Sequence, residues 1–187
     1  MSTAANATIA LNINFTDPSA VIITATGTNS LVTDTGNLSA NGFQLLGALP
    51  NNSTSIGDIG PSITSTLRPA GTGTDTADTV NQAYTDNVQF GGVTALNLYH
   101  NPTSGFWAVT TTESAFVGTA IVDLSNAAIG ELPSVGDSGN VVIGYDVVSG
   151  TIGTWNAVPE PSSYTALLGL AALGFVAARR NKMTSNS

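Results

Sequence analysis

From Ser162 to Ala178 the chain carries no charged residue, and Leu, Ala, Gly, Phe and Val dominate the run. A helix made of it would be apolar all round, so it belongs in lipid and not on a water-soluble domain. At ~1.5 Å per residue a helix over about 162–178 spans roughly 26 Å, under the ~30 Å of a typical hydrocarbon core. Tyr164 is placed to meet one interface, and Arg179, Arg180 and Lys182 stop transfer at the other. Positive charge beside a span stays cytoplasmic, which leaves residues 183–187 inside and the long N-terminal part outside. The chain therefore divides into a body, residues 1–157, and a C-terminal segment, residues 158–182.

The junction has its own chemistry. Pro159 and Pro161 flank Glu160, and two rings that fix φ and lack N–H groups force the triplet into an extended, solvated segment just above the membrane. Extended segments are what processing enzymes grip. Pro161 and the serines after it also suit the first turn of the following helix.

Val158-Pro159-Glu160-Pro161-Ser162, about 15 apolar residues and an Arg-rich end together resemble the PEP-CTERM protein-sorting domain of Gram-negative bacteria. The resemblance covers only the last ~25 residues. It implies recognition by exosortase, an inner-membrane enzyme that cuts near Pro-Glu-Pro and passes the protein outward, often alongside exopolysaccharide. Pro159, Glu160 and Pro161 would then be the recognition residues, with Arg179 and Arg180 as the stop-transfer end. The Leu-Pro-x-Thr-Gly motif of Gram-positive sortase substrates is absent. Such proteins begin with a secretory signal peptide, whereas this sequence opens without a basic and apolar leader. Ala5-Asn6-Ala7 is a small-x-small triplet of the kind that ends one, so residues 1–7 read as its remnant.

With 187 residues, one exported domain plus the tail is the natural division. The chain has no cysteine, which excludes disulfides, thiolate chemistry and Cys-based metal sites. Its net charge of −8 understates the asymmetry, because three of the four cations lie in the tail. Residues 1–158 set Arg68 against eleven of the twelve carboxylates, a difference of −10. Nucleic acid and anionic surfaces need clustered Lys and Arg, so nucleic-acid binding is excluded.

Several body segments alternate apolar and polar residues at the strand period: Ile9, Leu11, Ile13 and Phe15 oppose Asn12 and Asn14, and Val21, Ile23 and Ala25 repeat the pattern. Further strands are expected at Phe43–Leu46, Val88–Phe90, Thr94–Tyr99, Phe106–Thr112, Ala115–Leu124, Asn140–Val148 and Thr151–Ala157. Turn chemistry at Asn101–Gly105 and Ser149-Gly150 separates some of them. The expected architecture is an all-β body, an antiparallel β-sandwich of jelly-roll type, followed by one C-terminal transmembrane helix. Pro50 to Asp78 reads as one long excursion, and Val80, Ala83 and Tyr84 have the spacing of a short helix over Asp78–Tyr84.

Candidate chemistry in the body is sparse. His100 is the single imidazole, follows a strand and precedes a turn; with no Gly-x-Ser-x-Gly elbow and only Ser104 nearby, a hydrolase triad is not expected. Asp75, Asp78 and Asp86 offer hard oxygen ligands for Ca²⁺, but they lack the ordered spacing of an EF-hand and read as a solvated acidic loop. No cofactor is expected. Asn-x-Ser/Thr triplets at Asn6, Asn14, Asn37, Asn51 and Asn52 are attributed to the Asn- and Thr-rich composition. Tyr99, Trp107 and Trp155, with Phe106, would form a sugar-stacking platform if they faced outward, although strand aromatics more often fill the core. The sequence thus points to a non-enzymatic exported surface or matrix protein, with a carbohydrate-binding module as the rival reading. Its expected partners are exosortase, membrane lipid through the tail, and exopolysaccharide.

Overall fold

The period-two segments become strands in the computed structural model, which describes residues 8–31, 42–49, 63–70, 79–86, 94–100, 109, 111–125, 131–143 and 150–160. In chain order these are β1 (Ile9–Asn14), β2 (Val21–Ala25), β3 (Gly42–Leu46), β4 (Ile63–Ser65), β5 (Arg68–Pro69), β6 (Gln82–Asp86), β7 (Ala95–Tyr99), β8 (Phe116–Val117), β9 (Thr119–Val122), β10 (Ser138–Ile143) and β11 (Thr151–Ala157). A 3-10 turn at Pro18–Ala20 is the single helical element among the described residues. No helix there is long and apolar enough to cross a membrane. The helix expected at 162–178 lies outside the described residues.

Nine strands hydrogen-bond into one sheet in the order β4-β9-β2-β1-β11-β10-β3-β7-β6, and β5 pairs with β8. The all-β expectation holds, but two separate sheets of a jelly roll are not found among these strands. One sheet curls instead until its edges approach. Val80 N–H, just before edge strand β6, donates to the carbonyl of Leu67, just after edge strand β4, at 2.9 Å. The bend that frees Leu67 for this contact is local. The β4/β9 and β5/β8 ladders share one register and are interrupted only around Thr66 and Gly118. Gly118 has φ +90°, and a Cβ there would stand 2.2 Å from the Thr66 carbonyl oxygen, so only glycine lets the two strands cross so closely. At the same point the Thr66 hydroxyl accepts from Thr119 N–H at 3.1 Å and takes over a ladder position.

The pairing is antiparallel except at β1 and β11, which run parallel, a departure from the fully antiparallel expectation. The first and last strands of the body lie side by side at the middle of the sheet and enter it from the same end. Their register slips between Ile9 and Leu11. This bulge reverses the facing of Ile9, which is 40% exposed, while Leu11, Ile13 and Phe15 enter the core as the alternation predicts.

One contiguous core joins residues from both ends of the sheet, including Leu11, Ile23, Phe43, Leu67, Leu96, Phe116 and Trp155. Phe43 and Phe116 meet with ring centroids 4.5 Å apart across the curl. A smaller cluster of Leu46, Ala95 and Val142 occupies the other face, beside the buried Gln44 and Asn97.

Two segments depart from their local pattern. The helix expected over Asp78–Tyr84 is overturned, because residues from Gln82 onward pair with Tyr99 to Ala95 as strand β6. The long excursion Pro50–Asp78 contains β4 and β5. The strand expected at Val88–Phe90, the turn Asn101–Gly105 and most of Phe106–Thr112 lie outside the described residues.

Candidate sorting site at the end of strand β11

β11 ends at Ala157, and the chain leaves the sheet there. Its alternation is strict at this end: Trp155 and Ala157 are buried, and Thr154 and Asn156 are half-buried. The exit is held from both sides. Ala157 N–H donates to the carbonyl of Asp137 at 2.8 Å, and Gly136 N–H donates back to the carbonyl of Ala157 at 3.0 Å. Val158 N–H donates to the carbonyl of Ile13 on β1 at 2.8 Å. Val158, Pro159 and Glu160 are all half-buried. Pro159 ends the ladder because it has no N–H to donate.

Trp155 fixes β11 laterally. Gly139 of β10 is its direct cross-strand partner, and a Cβ at Gly139 would lie 2.6 Å from Trp155 Nε1 and 2.1 Å from the carbonyl oxygen of Leu46. The indole thus passes over a bare backbone position and donates from Nε1 to the Leu46 carbonyl on β3 at 2.9 Å. Three neighbouring strands are tied by one side chain, whose ring also meets Phe15 edge-on at 5.9 Å.

Among the described residues, carboxylates collect at the end of the sheet where β11 leaves. Register places Asp17 after β1, Asp123 after β9, Asp137 before β10 and Asp86 at the last position of β6, all at that end. Arg68 and Glu113 lie at the other. Two of these carboxylates are built alike. Asp17 Oδ1 accepts from Ser19 Oγ at 2.7 Å and from Ser19 N–H at 2.8 Å. Asp123 Oδ1 accepts from Ser125 Oγ and Ser125 N–H at 2.5 and 2.9 Å. These hydrogen bonds, the side-chain one foremost, hold both carboxyls below the ordinary aspartate value. The Asp-x-Ser spacing at 17–19 and 123–125 is the signal that pattern reading passed over.

Against this geometry the tail can be compared with known proteins. Residues 157–181 match the PEP-CTERM protein-sorting motif. This sorting signal implies exosortase processing and the route of an exported, membrane-processed surface protein of a Gram-negative bacterium. The match begins at Ala157, inside the last strand of the body. No curated protein and no solved structure matches the chain.

The other sequence candidates are scattered. Pro161, Arg179, Arg180 and Lys182 lie outside the described residues, as do Asp75, Asp78, Ser104, Phe106 and Trp107. Asp86 has a backbone position in β6 and no described side chain. Among the described residues no group of three His, Asp or Glu could hold a metal ion. His100 Nδ1 lies 3.1 Å from the carbonyl of Thr79, to which a protonated Nδ1 donates, and 3.4 Å from Asn81 Nδ2. That contact ties the end of β7 to the segment before β6. Trp155 is 1% exposed and cannot belong to a sugar-stacking platform; Tyr99 is half-buried.

Proposed function

We propose that the chain is a non-enzymatic exported surface or extracellular-matrix protein, delivered across the inner membrane and held there by its tail until exosortase processes it. The observation that carries this reading is the PEP-CTERM motif at residues 157–181, attached to an all-β body. The protein's own part in the reaction is that of substrate. Pro159, Glu160 and Pro161 present the extended segment to the enzyme; the apolar run 162–178 enters the bilayer; Arg179, Arg180 and Lys182 stop transfer. The finished protein resides at the cell surface with exopolysaccharide as its surroundings, and its acidic body disfavours contact with anionic lipid.

Recognition and insertion use different residues, so they should separate. Changing Pro159, Glu160 and Pro161 together to alanine should leave a membrane-inserted, uncut precursor in a host that has exosortase. Immunoblots of membrane and medium fractions read the result. A triple variant shortened and exported like wild type would show the tail to be only an anchor.

A further inference from the structure

A cleft of about 350 Å³ opens beside the start of the sorting motif, between the turn after β3 and residues 131–137, and its lining includes Gly47, Leu49, Leu132, Ser134 and the carboxylates of Glu131 and Asp137. Its walls are held by the fold. Leu49 is 2% exposed and belongs to the core, against which Leu132 packs. Asp137 N–H donates to the Ser134 carbonyl at 2.9 Å and Ser134 N–H donates to Asp137 Oδ2 at 2.8 Å, which closes a four-residue turn. Gly136, at φ +97°, and Asp137 also carry the backbone bonds to Ala157, so one wall of the cleft is tied to the first residue of the matched motif. Arg68 is the one Lys or Arg in residues 1–158, and it lies at the opposite end of the sheet. Neither carboxylate of the cleft therefore has a basic side chain of the body to pair with.

We infer that this cleft is a second contact point for the membrane-bound processing enzyme, taking a Lys or Arg side chain that the enzyme presents beside its hold on Pro159-Glu160-Pro161. This rests on the exosortase reading above and adds a site on the body to it. Reach brings the two surfaces together. Pro161 is four residues past Ala157, at most about 14 Å of extended chain. A standard protein–protein contact covers about 800 Å² on each partner, a disc of about 16 Å radius. An enzyme seated on the motif therefore lies against this end of the body. Charge decides what it must bring. Carboxylates covered by a partner without a counter-ion lose hydration and gain nothing in return, whereas a basic side chain matches them and steers the approach. The apolar stem of a Lys or Arg suits Leu49 and Leu132, and its charged head suits Glu131 and Asp137.

Processing of the full chain should be followed by pulse-chase in a Gram-negative host that has exosortase. Glu131 is exposed, so its substitution tests contact and not folding. Glu131→Lys puts a cation where one is expected to dock and should slow the shortening at least about 10-fold, with Glu131→Gln slowing it less. Glu113→Lys makes the same charge change at the far end of the sheet and should be shortened at the wild-type rate. Wild-type shortening of Glu131→Lys overturns the inference and leaves the sorting reading standing. Equal slowing by Glu113→Lys overturns it too, since the effect would then be one of net charge. If Glu131→Lys is shortened normally but the finished protein is no longer retained at the surface, the cleft serves an extracellular partner and the inference likewise falls. A wild-type chain that is never shortened removes the sorting reading and the docking site with it.

Discussion

At Gly139 the sheet has no room for a methyl group, because the indole of Trp155 lies across that position to reach the Leu46 carbonyl. Gly139→Val should destabilise the body by about 1–3 kcal/mol, the usual range for overpacking, or more if the ring is expelled. Trp155→Phe keeps most of the apolar surface but leaves the Leu46 carbonyl without its indole donor, a loss of about 1–3 kcal/mol. Urea unfolding of both variants measures these costs. The two Asp-x-Ser turns act through pH. Asp17 and Asp123 have folded pKa values below their unfolded ones. Their stabilisation is therefore complete above the unfolded value of about 3.9 and is lost as pH falls through the folded values. Melting temperatures between pH 5 and pH 2 should fall less steeply in an Asp17→Asn, Asp123→Asn double variant than in wild type. An unchanged slope would show that these exposed turns add nothing to the fold.

Strands β1 and β11 decide whether the sheet closes. Each is an interior strand, and they are each other's neighbours although they come from opposite ends of the body. The sheet's centre is thus completed by the last strand to be made, and contacts between the chain ends give the fold slow, non-local character. A body ending at Glu160 should give a β-type circular dichroism spectrum and a cooperative melt. A body ending at Gly150, without β11, leaves the facing edges of β1 and β10 unpaired and should lose the cooperative transition. A cooperative melt of the shorter form would mean that β11 is an accessory strand.

At the scale of the whole molecule, the carboxylates of the described residues are unevenly spread along the strands. The carboxylates of Asp17, Asp123 and Asp137 gather at the end where the tail departs, and Arg68 and Glu113 lie at the other. In a membrane-inserted precursor this places the acidic end toward the bilayer, where an anionic surface would hold the body off. Under the proposed reading, insertion depends on the tail alone. Replacing Leu168 and Leu173 with aspartate should weaken it, at about 2.5–3.5 kcal/mol for each charge at the centre of a span. Carbonate extraction of membranes would show the variant in the soluble fraction with the body intact; retention in the membrane would place the anchor elsewhere.

The sequence by itself determined the sorting motif and the β class. Motif order and period-two alternation are local properties, so the sorting motif at residues 157–181 and strands such as Val21–Ala25 and Thr151–Ala157 could be read directly. Tertiary structure decided the rest. A bulge at Ala10 turned Ile9 outward, pairing with β7 made a strand of Gln82–Asp86 where spacing pointed to a helix, and a bare position at Gly139 sent Trp155 into the core. Strand order was likewise beyond local pattern. That β11 lies beside β1, and that the sorting motif therefore begins inside the sheet, depends on hydrogen bonds between residues more than a hundred positions apart, such as Val158 to Ile13.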